Sequence, residues 1–140
     1  MKILIAVDGS PFTKRMLAYL TAHDEFPGRG HDYTVLTAVA PVPPRAAAVV
    51  DKVTLEGYYG DEAEKVFKPI RTFLTRQGIE ARFQYKVGHA GETISSLADK
   101  GKFDLLVMGS HGHGTLTNLV MGSVATKVLA HCKVPVLLVR

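Results

Sequence analysis

Three glycines and a hydroxyl, spaced as Gly109-x2-Gly112-x9-Gly122-Ser123, are the residues of this chain whose types and order could do chemistry, and that chemistry is the gripping of an anion. They follow an apolar run, Phe103-Asp-Leu-Leu-Val-Met108, and lead into a helical pattern that begins near Ser123. Strand, glycine-rich loop, helix is the order that a nucleotide site in an open α/β sheet requires. Glycine has no Cβ, so its backbone can take positive φ and let a phosphate approach its N–H groups, while a helix N-terminus adds about half a positive charge. Such a loop can hold an anion without a lysine.

Other candidate groups cluster near it in kind. Asp8 ends the first apolar run ahead of Gly9-Ser10, which puts a carboxylate where a strand gives way to its loop. There it could accept a hydrogen bond from a ribose or a base, or meet Mg²⁺ directly or through water; a turn or capping role explains it equally. Ser10-Pro11 has the form of a helix start, with serine at the N-cap and proline first in the helix, so Ser10 needs no nucleophilic role. His111 and His113 lie inside the glycine loop, where an imidazole can donate to phosphate.

Several chemistries lack their parts. A structural zinc site needs four ligands, and Cys132 is the only thiol to set beside His89, His111, His113 and His131, so no metal site is assigned. Ser110, His111 and Asp8 can be written as a hydrolytic set, but there is no G-x-S-x-G elbow and no catalytic residue is assigned. The chain has no G-x-x-x-x-G-K-[ST], and Gly112-His-Gly114-Thr-Leu-Thr lacks the third glycine of G-x-G-x-x-G.

The elements that must position these groups are legible as an alternation. Residues 2–7 form an apolar strand, and Phe12, Met16, Leu17 and Leu20 then share one helical face. Residues 33–39 read as a second strand. Pro41, Pro43 and Pro44 force a loop, and the connection from 41 to about 56 is expected to be long, mobile and close to the site. Val66, Phe67, Ile70, Phe73 and Leu74 mark a helix that Pro69 should kink or break near Lys68, with Gly78 just past its end. Ala81, Phe83, Tyr85 and Val87 alternate with polar residues, as an edge strand does. Residues 91–100 form a short helix, 103–108 a fourth strand and 134–139 a fifth.

Such an order predicts one α/β domain over residues 1–140: a Rossmann-like or flavodoxin-like five-stranded parallel sheet, strand order 3-2-1-4-5, with helices on both faces. Ligands bind such sheets at the carboxyl ends of the strands where the order reverses. If the first and fourth strands are neighbours, Asp8 and Gly109 face each other across that crevice.

Composition narrows the partners. A chain of 140 residues, 46% hydrophobic, can bury one sizeable core. No apolar run approaches the roughly 18 residues of a membrane span, and the run after Met1 meets Asp8 too early for a signal-peptide core. A single cysteine fits a reducing compartment, so the cytoplasm is expected. The net charge of +4 is spread over scattered Lys and Arg, without the basic block of a nucleic-acid binder.

Three stretches together are familiar: Ile3-Leu-Ile-Ala-Val-Asp8-Gly-Ser, Leu105-Leu-Val-Met-Gly-Ser-His-Gly112, and Gly122-Ser-Val-Ala-Thr-Lys-Val-Leu-Ala-His131 leading into Val134-Pro-Val-Leu-Leu-Val139. On these the chain resembles the universal stress protein family over almost its whole length, in the subgroup that carries G-x2-G-x9-G-[ST]. The resemblance implies binding of ATP, with or without Mg²⁺. It places Ala6 and Asp8, at the end of the first strand, and Val39, at the end of the second, beside adenine and ribose. It lines the loop with Gly109, His111, Gly112, His113 and Gly114, and sets Gly122, Ser123, Val124 and Ala125 around the phosphates. Ala125 departs from the pattern, since a hydroxyl residue is common there. The His113-Gly114 pair makes the loop freer than a bulkier sequence would.

The resemblance also implies a homodimer, and the residues add a reason: the strand 134–139 is apolar on both faces yet holds Pro135, which favours an edge open to pairing with a second chain. The expected activity is that of a nucleotide-dependent stress-response or signalling regulator working on an unknown protein partner. A slow ATPase or autophosphorylating enzyme, and a dimeric adaptor with a vestigial pocket, are the alternatives.

Overall fold

A computed structural model describes residues 1–23, 30–114 and 120–140. Its elements run β1 (Lys2–Ala6), α1 (Pro11–Ala22), β2 (Asp32–Val39), α2 (Pro44–Ala47), α3 (Lys52–Arg76), β3 (Ala81–Val87), α4 (Ala90–Lys100), β4 (Leu105–Gly109), α5 (Ser123–His131) and β5 (Val136–Val139). The strands form one sheet in the order β3-β2-β1-β4-β5, and every pairing is parallel. This is the predicted fold. The order reverses at β1, which has β2 on one side and β4 on the other, and a crevice opens there.

Strand alternation assigns each residue to a face. Odd-numbered Ile3, Ile5, Val7, Tyr33, Val35, Val39 and Val107 pack with Met16, Leu17 and Leu20 of α1 and with Ala63, Phe67, Ile70 and Leu74 of α3. Even-numbered Leu4, Ala6, Leu36, Leu106 and Met108 pack with Ile94 and Ala98 of α4 and with Ala125 and Val128 of α5. Burial on both faces is why β1 and β4 are continuous apolar runs.

Three expectations change. The connection after β2 is largely helical: α2 occupies Pro44–Ala47, and α3 begins at Lys52, where Asp51 accepts the Thr54 N–H at 2.7 Å as an N-cap. Its first turns face water, with Val53 80% exposed, so no apolar stripe announces them. Pro69 does not break α3. Pro69 and Lys65, the residue whose carbonyl loses its donor, are both exposed. Finally, Pro135 precedes β5 instead of lying within it, and its carbonyl accepts the Leu106 N–H at 2.9 Å.

The end of α3 is as expected. Gly78 takes φ 71°, with the Ile79 N–H bonded to the Leu74 carbonyl at 2.9 Å and the Gly78 N–H to Thr75 at 3.1 Å, a Schellman closure. It turns the chain directly into β3.

Candidate functional site

At the reversal point the even-numbered face of the sheet ends in a cleft of about 340 Å³. Ala6 and Ala38 are small, Asp8 continues the even register of β1, and Met108 closes the β4 side. Ile94 and Ala90 of α4 supply an apolar wall, and the start of α5 supplies the opposite one.

Asp8 is held in one orientation. Its Oδ1 accepts the Ser10 N–H at 2.9 Å and the Thr13 hydroxyl at 2.9 Å, while its own N–H donates to Thr13 Oγ1 at 3.1 Å. The Asp8 carbonyl accepts from His113 Nε2 at 2.6 Å, which requires the hydrogen on Nε2 because a carbonyl can only accept. That bond ties the glycine loop back to the end of β1, 105 residues away in sequence.

The loop glycines are needed for contact distance. Gly109, Gly112 and Gly122 do not adopt positive φ. A Cβ at Gly109 would lie 2.8 Å from Phe12 Cβ, at Gly112 2.6 Å from Asp8 Oδ2, and at Gly122 3.1 Å from His111 Cα. The three glycines let α1, the β1 end and the loop close on one another, and the cleft is what remains between them.

Anion donors sit at α5. The Gly122 N–H is spent on the Ser110 carbonyl at 2.8 Å, and the first intrahelical bond at this end is Thr126 N–H to Gly122 at 3.0 Å. The N–H groups of Ser123, Val124 and Ala125 therefore have no intrahelical acceptor, and no side chain caps this end. Among the described lining residues there is no lysine or arginine, and Asp8 is the one carboxylate. An anion at α5 and the Asp8 carboxylate repel each other, so a ligand that uses both ends must carry its negative charge at α5 and a hydrogen-bond donor at Asp8.

The structure brings Ala6, Asp8, Gly109, His111, Gly112, His113, Gly114, Gly122, Ser123, Val124 and Ala125 around one cleft. Val39 goes elsewhere: as an odd-numbered residue of β2 its side chain packs into the α1/α3 core, and Ala38 takes the cleft position. Sequence reasoning also missed Thr13, Ala90, Ile94 and Met108; the alternation that assigned Leu36 and Met108 to one face was the available signal for Ala38. Ser110 is buried to 2% exposure, does not line the cleft, and lies 2.8 Å from His111 Nδ1, while Asp8 Oδ1 takes its donors from Ser10 and Thr13. The hydrolytic set is thus not assembled. Among the described residues no three His, Cys, Asp or Glu converge as metal ligands. Residues 115–119 of the predicted loop lie outside the described residues.

Fold and cleft together define an open α/β domain with its ligand crevice at the switch point of a parallel sheet. The sequence pattern of the universal stress protein family matches residues 1–140, and the chain belongs to that family. A universal stress protein of Thermus aquaticus is 36% identical over 138 residues, covering 99% of this chain and 97% of that one. Against Slr1230 of Synechocystis the match is 39% identical over 67 residues, 48% of this chain, and the chain spans only 23% of that protein's length. Among solved structures, MJ0577 of Methanocaldococcus jannaschii superposes with a TM-score of 0.80 at 26% identity, covering 99% of this chain and 94% of that one. A universal stress protein from Archaeoglobus fulgidus in complex with dAMP gives 0.71 at 21% identity, covering 100% and 98%. One in complex with cAMP gives 0.73 at 20%, covering 100% and 97%. The last two likenesses are of fold.

No helix among the described residues is long and apolar enough to cross a membrane.

Proposed function

We propose that this protein binds an adenine nucleotide, ATP in the first instance, with the phosphates at the start of α5 and the sugar at Asp8, and that it acts as a nucleotide-dependent regulator in the cytoplasm. The observation that carries the reading is the polarity of the cleft: open backbone donors at one end, a single carboxylate at the other, small and apolar side chains between. Hydrogen bonds to a charged group contribute about 1.5–3 kcal/mol each. Three of them approach the roughly 8 kcal/mol of micromolar binding, so the site does not need a lysine. The dAMP and cAMP complexes of the two fold relatives support an adenine nucleotide.

Regulation is favoured over fast turnover because the described lining residues offer no activated nucleophile and no second carboxylate to hold a metal, and Asp8 Oδ1 is already filled. The test is calorimetric titration with ATP, ADP and AMP, with and without Mg²⁺, alongside timed ADP formation. Micromolar binding with turnover far below the roughly 1–10³ per second of ordinary enzymes is expected. Absence of binding by all three nucleotides sinks the reading, and multiple turnover at ordinary rates sinks its regulatory half.

Assembly as a homodimer through β5 belongs to the same proposal. The carbonyls of Pro135 and Val139 face β4, so the alternating Val136 and Leu138 turn their backbone groups to the open edge. Antiparallel pairing with a second copy would fill that edge. Leu138→Pro removes one outward donor and should yield monomers in sedimentation; a folded variant that remains dimeric rules out this edge.

A further inference from the structure

Thr13 is buried to 4% exposure on the first turn of α1, yet it forms part of the cleft wall. Its hydroxyl accepts the Asp8 N–H at 3.1 Å and donates to Asp8 Oδ1 at 2.9 Å, so its one hydrogen and one of its lone pairs are committed to a single residue. The Ser10 N–H, at 2.9 Å, adds a second donor to the same oxygen. Among the described residues nothing donates to Oδ2, which lies on the Gly112 side of the cleft. A carboxylate without such bonds turns about its last torsion and offers either oxygen or both. This one cannot, because turning would break two bonds at Oδ1.

We propose that Thr13 is a positioning residue that sets ligand specificity: by occupying Oδ1 and fixing the carboxylate plane, it makes Asp8 a one-oxygen acceptor that selects nucleotides presenting a sugar hydroxyl to Oδ2. The inference rests on the nucleotide reading of the cleft and deepens it. Thr13 touches no ligand in this scheme and acts only through Asp8. A metal ion could reach Asp8 only through that same oxygen, so the carboxylate is suited to a hydroxyl donor and poorly suited to chelation. A purely architectural Thr13, closing the turn between β1 and α1, would alter stability while leaving the preference for the sugar hydroxyl unchanged.

The experiment compares AMP with 2′,3′-dideoxy-AMP by calorimetry on wild type, Thr13→Ser, Thr13→Val and Thr13→Ala. The serine variant keeps the hydroxyl, valine keeps the shape without it, and alanine leaves room for a water should valine fail to fold. Wild type and Thr13→Ser are expected to prefer AMP about tenfold, ~1.4 kcal/mol. In Thr13→Val or Thr13→Ala that ratio should fall towards one, whatever the change in overall affinity. A folded variant lacking the hydroxyl that keeps the full preference overturns the proposal. So does wild type that binds both ligands equally. Wild type that binds neither overturns this proposal, and wild type that in addition binds neither ATP nor ADP overturns the nucleotide reading itself.

Discussion

Gly112 faces Asp8 so closely across the crevice that a Cβ at Gly112 would stand 2.6 Å from Oδ2, the one carboxylate oxygen without a donor among the described residues. Because Oδ1 is anchored by Ser10 and Thr13, the carboxylate cannot swing aside at low cost. The requirement for glycine comes from the carboxylate, since Gly112 does not adopt positive φ and alanine would suit its backbone.

Gly112→Ala is therefore expected to push Asp8 or the loop out of place, at about 1–3 kcal/mol of overpacking, and to weaken nucleotide binding about tenfold or more, ~1.4 kcal/mol. Gly114→Ala is the control: it lies in the same loop, and among the described residues a Cβ there meets nothing within 4 Å. Thermal unfolding and titration of both variants check the pair. Equal behaviour of the two would show that the Asp8 contact is not what Gly112 serves.

Ser10 stands at the N-cap of α1 but makes no side-chain cap bond, and its hydroxyl is fully buried without a partner among the described residues. Loss of a working cap costs about 1 kcal/mol. Ser10→Ala should instead leave stability within about 0.5 kcal/mol of wild type or raise it, because the variant removes an unsatisfied polar group. Denaturant unfolding decides, and a loss of a full kilocalorie would mean that the hydroxyl is bonded in solution.

Asp51 caps α3 through the Thr54 N–H, and that backbone bond, with the Thr54 side chain next, holds its carboxyl below the ordinary carboxylate range. The sign follows from the depressed value: the cap's contribution is present in full above the ordinary pKa of about 3.9 and is lost as pH falls through the lower folded value. The protection of the Thr54 amide, its exchange measured against the unstructured chain at the same pH, should fall across that acid window in wild type and be already lost at neutral pH in Asp51→Ala. A protection unchanged across that window would count against the cap.

Burial pushes the Cys132 thiol above its usual pKa, and the Asp99 carboxylate, whose Oδ1 lies 3.7 Å from Sγ, raises it further. At neutral pH the thiolate fraction is then smaller than in a free cysteine. Alkylation of the native protein should be slower than that of the unfolded chain, and Asp99→Asn should speed it. Native alkylation as fast as in denaturant would contradict this environment.

Much of the architecture was legible because strands buried on both faces announce themselves: β1 and β4 are unbroken apolar runs, and β3 alternates as an edge strand should. The start of α3 was not legible, since its first turn is exposed and only the half-buried Leu55 and Tyr59 carry the apolar face back towards it. Of the kink or break expected at Pro69, the break does not occur, and α3 runs through it from Lys52 to Arg76. In the site, the glycine spacing pointed to the loop that lines the cleft, for an incomplete reason, since the close approaches to Phe12, Asp8 and His111 are tertiary and lie beyond any local pattern. Val39 and Ala38 differ by one step of the pleat, and only a fixed register tells which of them turns to the cleft.

Ser110 lies between two distant parts of the molecule. Its N–H reaches the Val139 carbonyl at the last residue of β5, and its carbonyl receives the N–H of Gly122, immediately before α5. A strand added along β5 and an anion seated on α5 would therefore strain or relax the same residue from opposite sides. Any displacement of Ser110 that one event favours changes the work required for the other, and that work is equal in both directions. Subunit pairing and ligand retention would then be two readings of a single free energy, with affinity changing as the protein is concentrated.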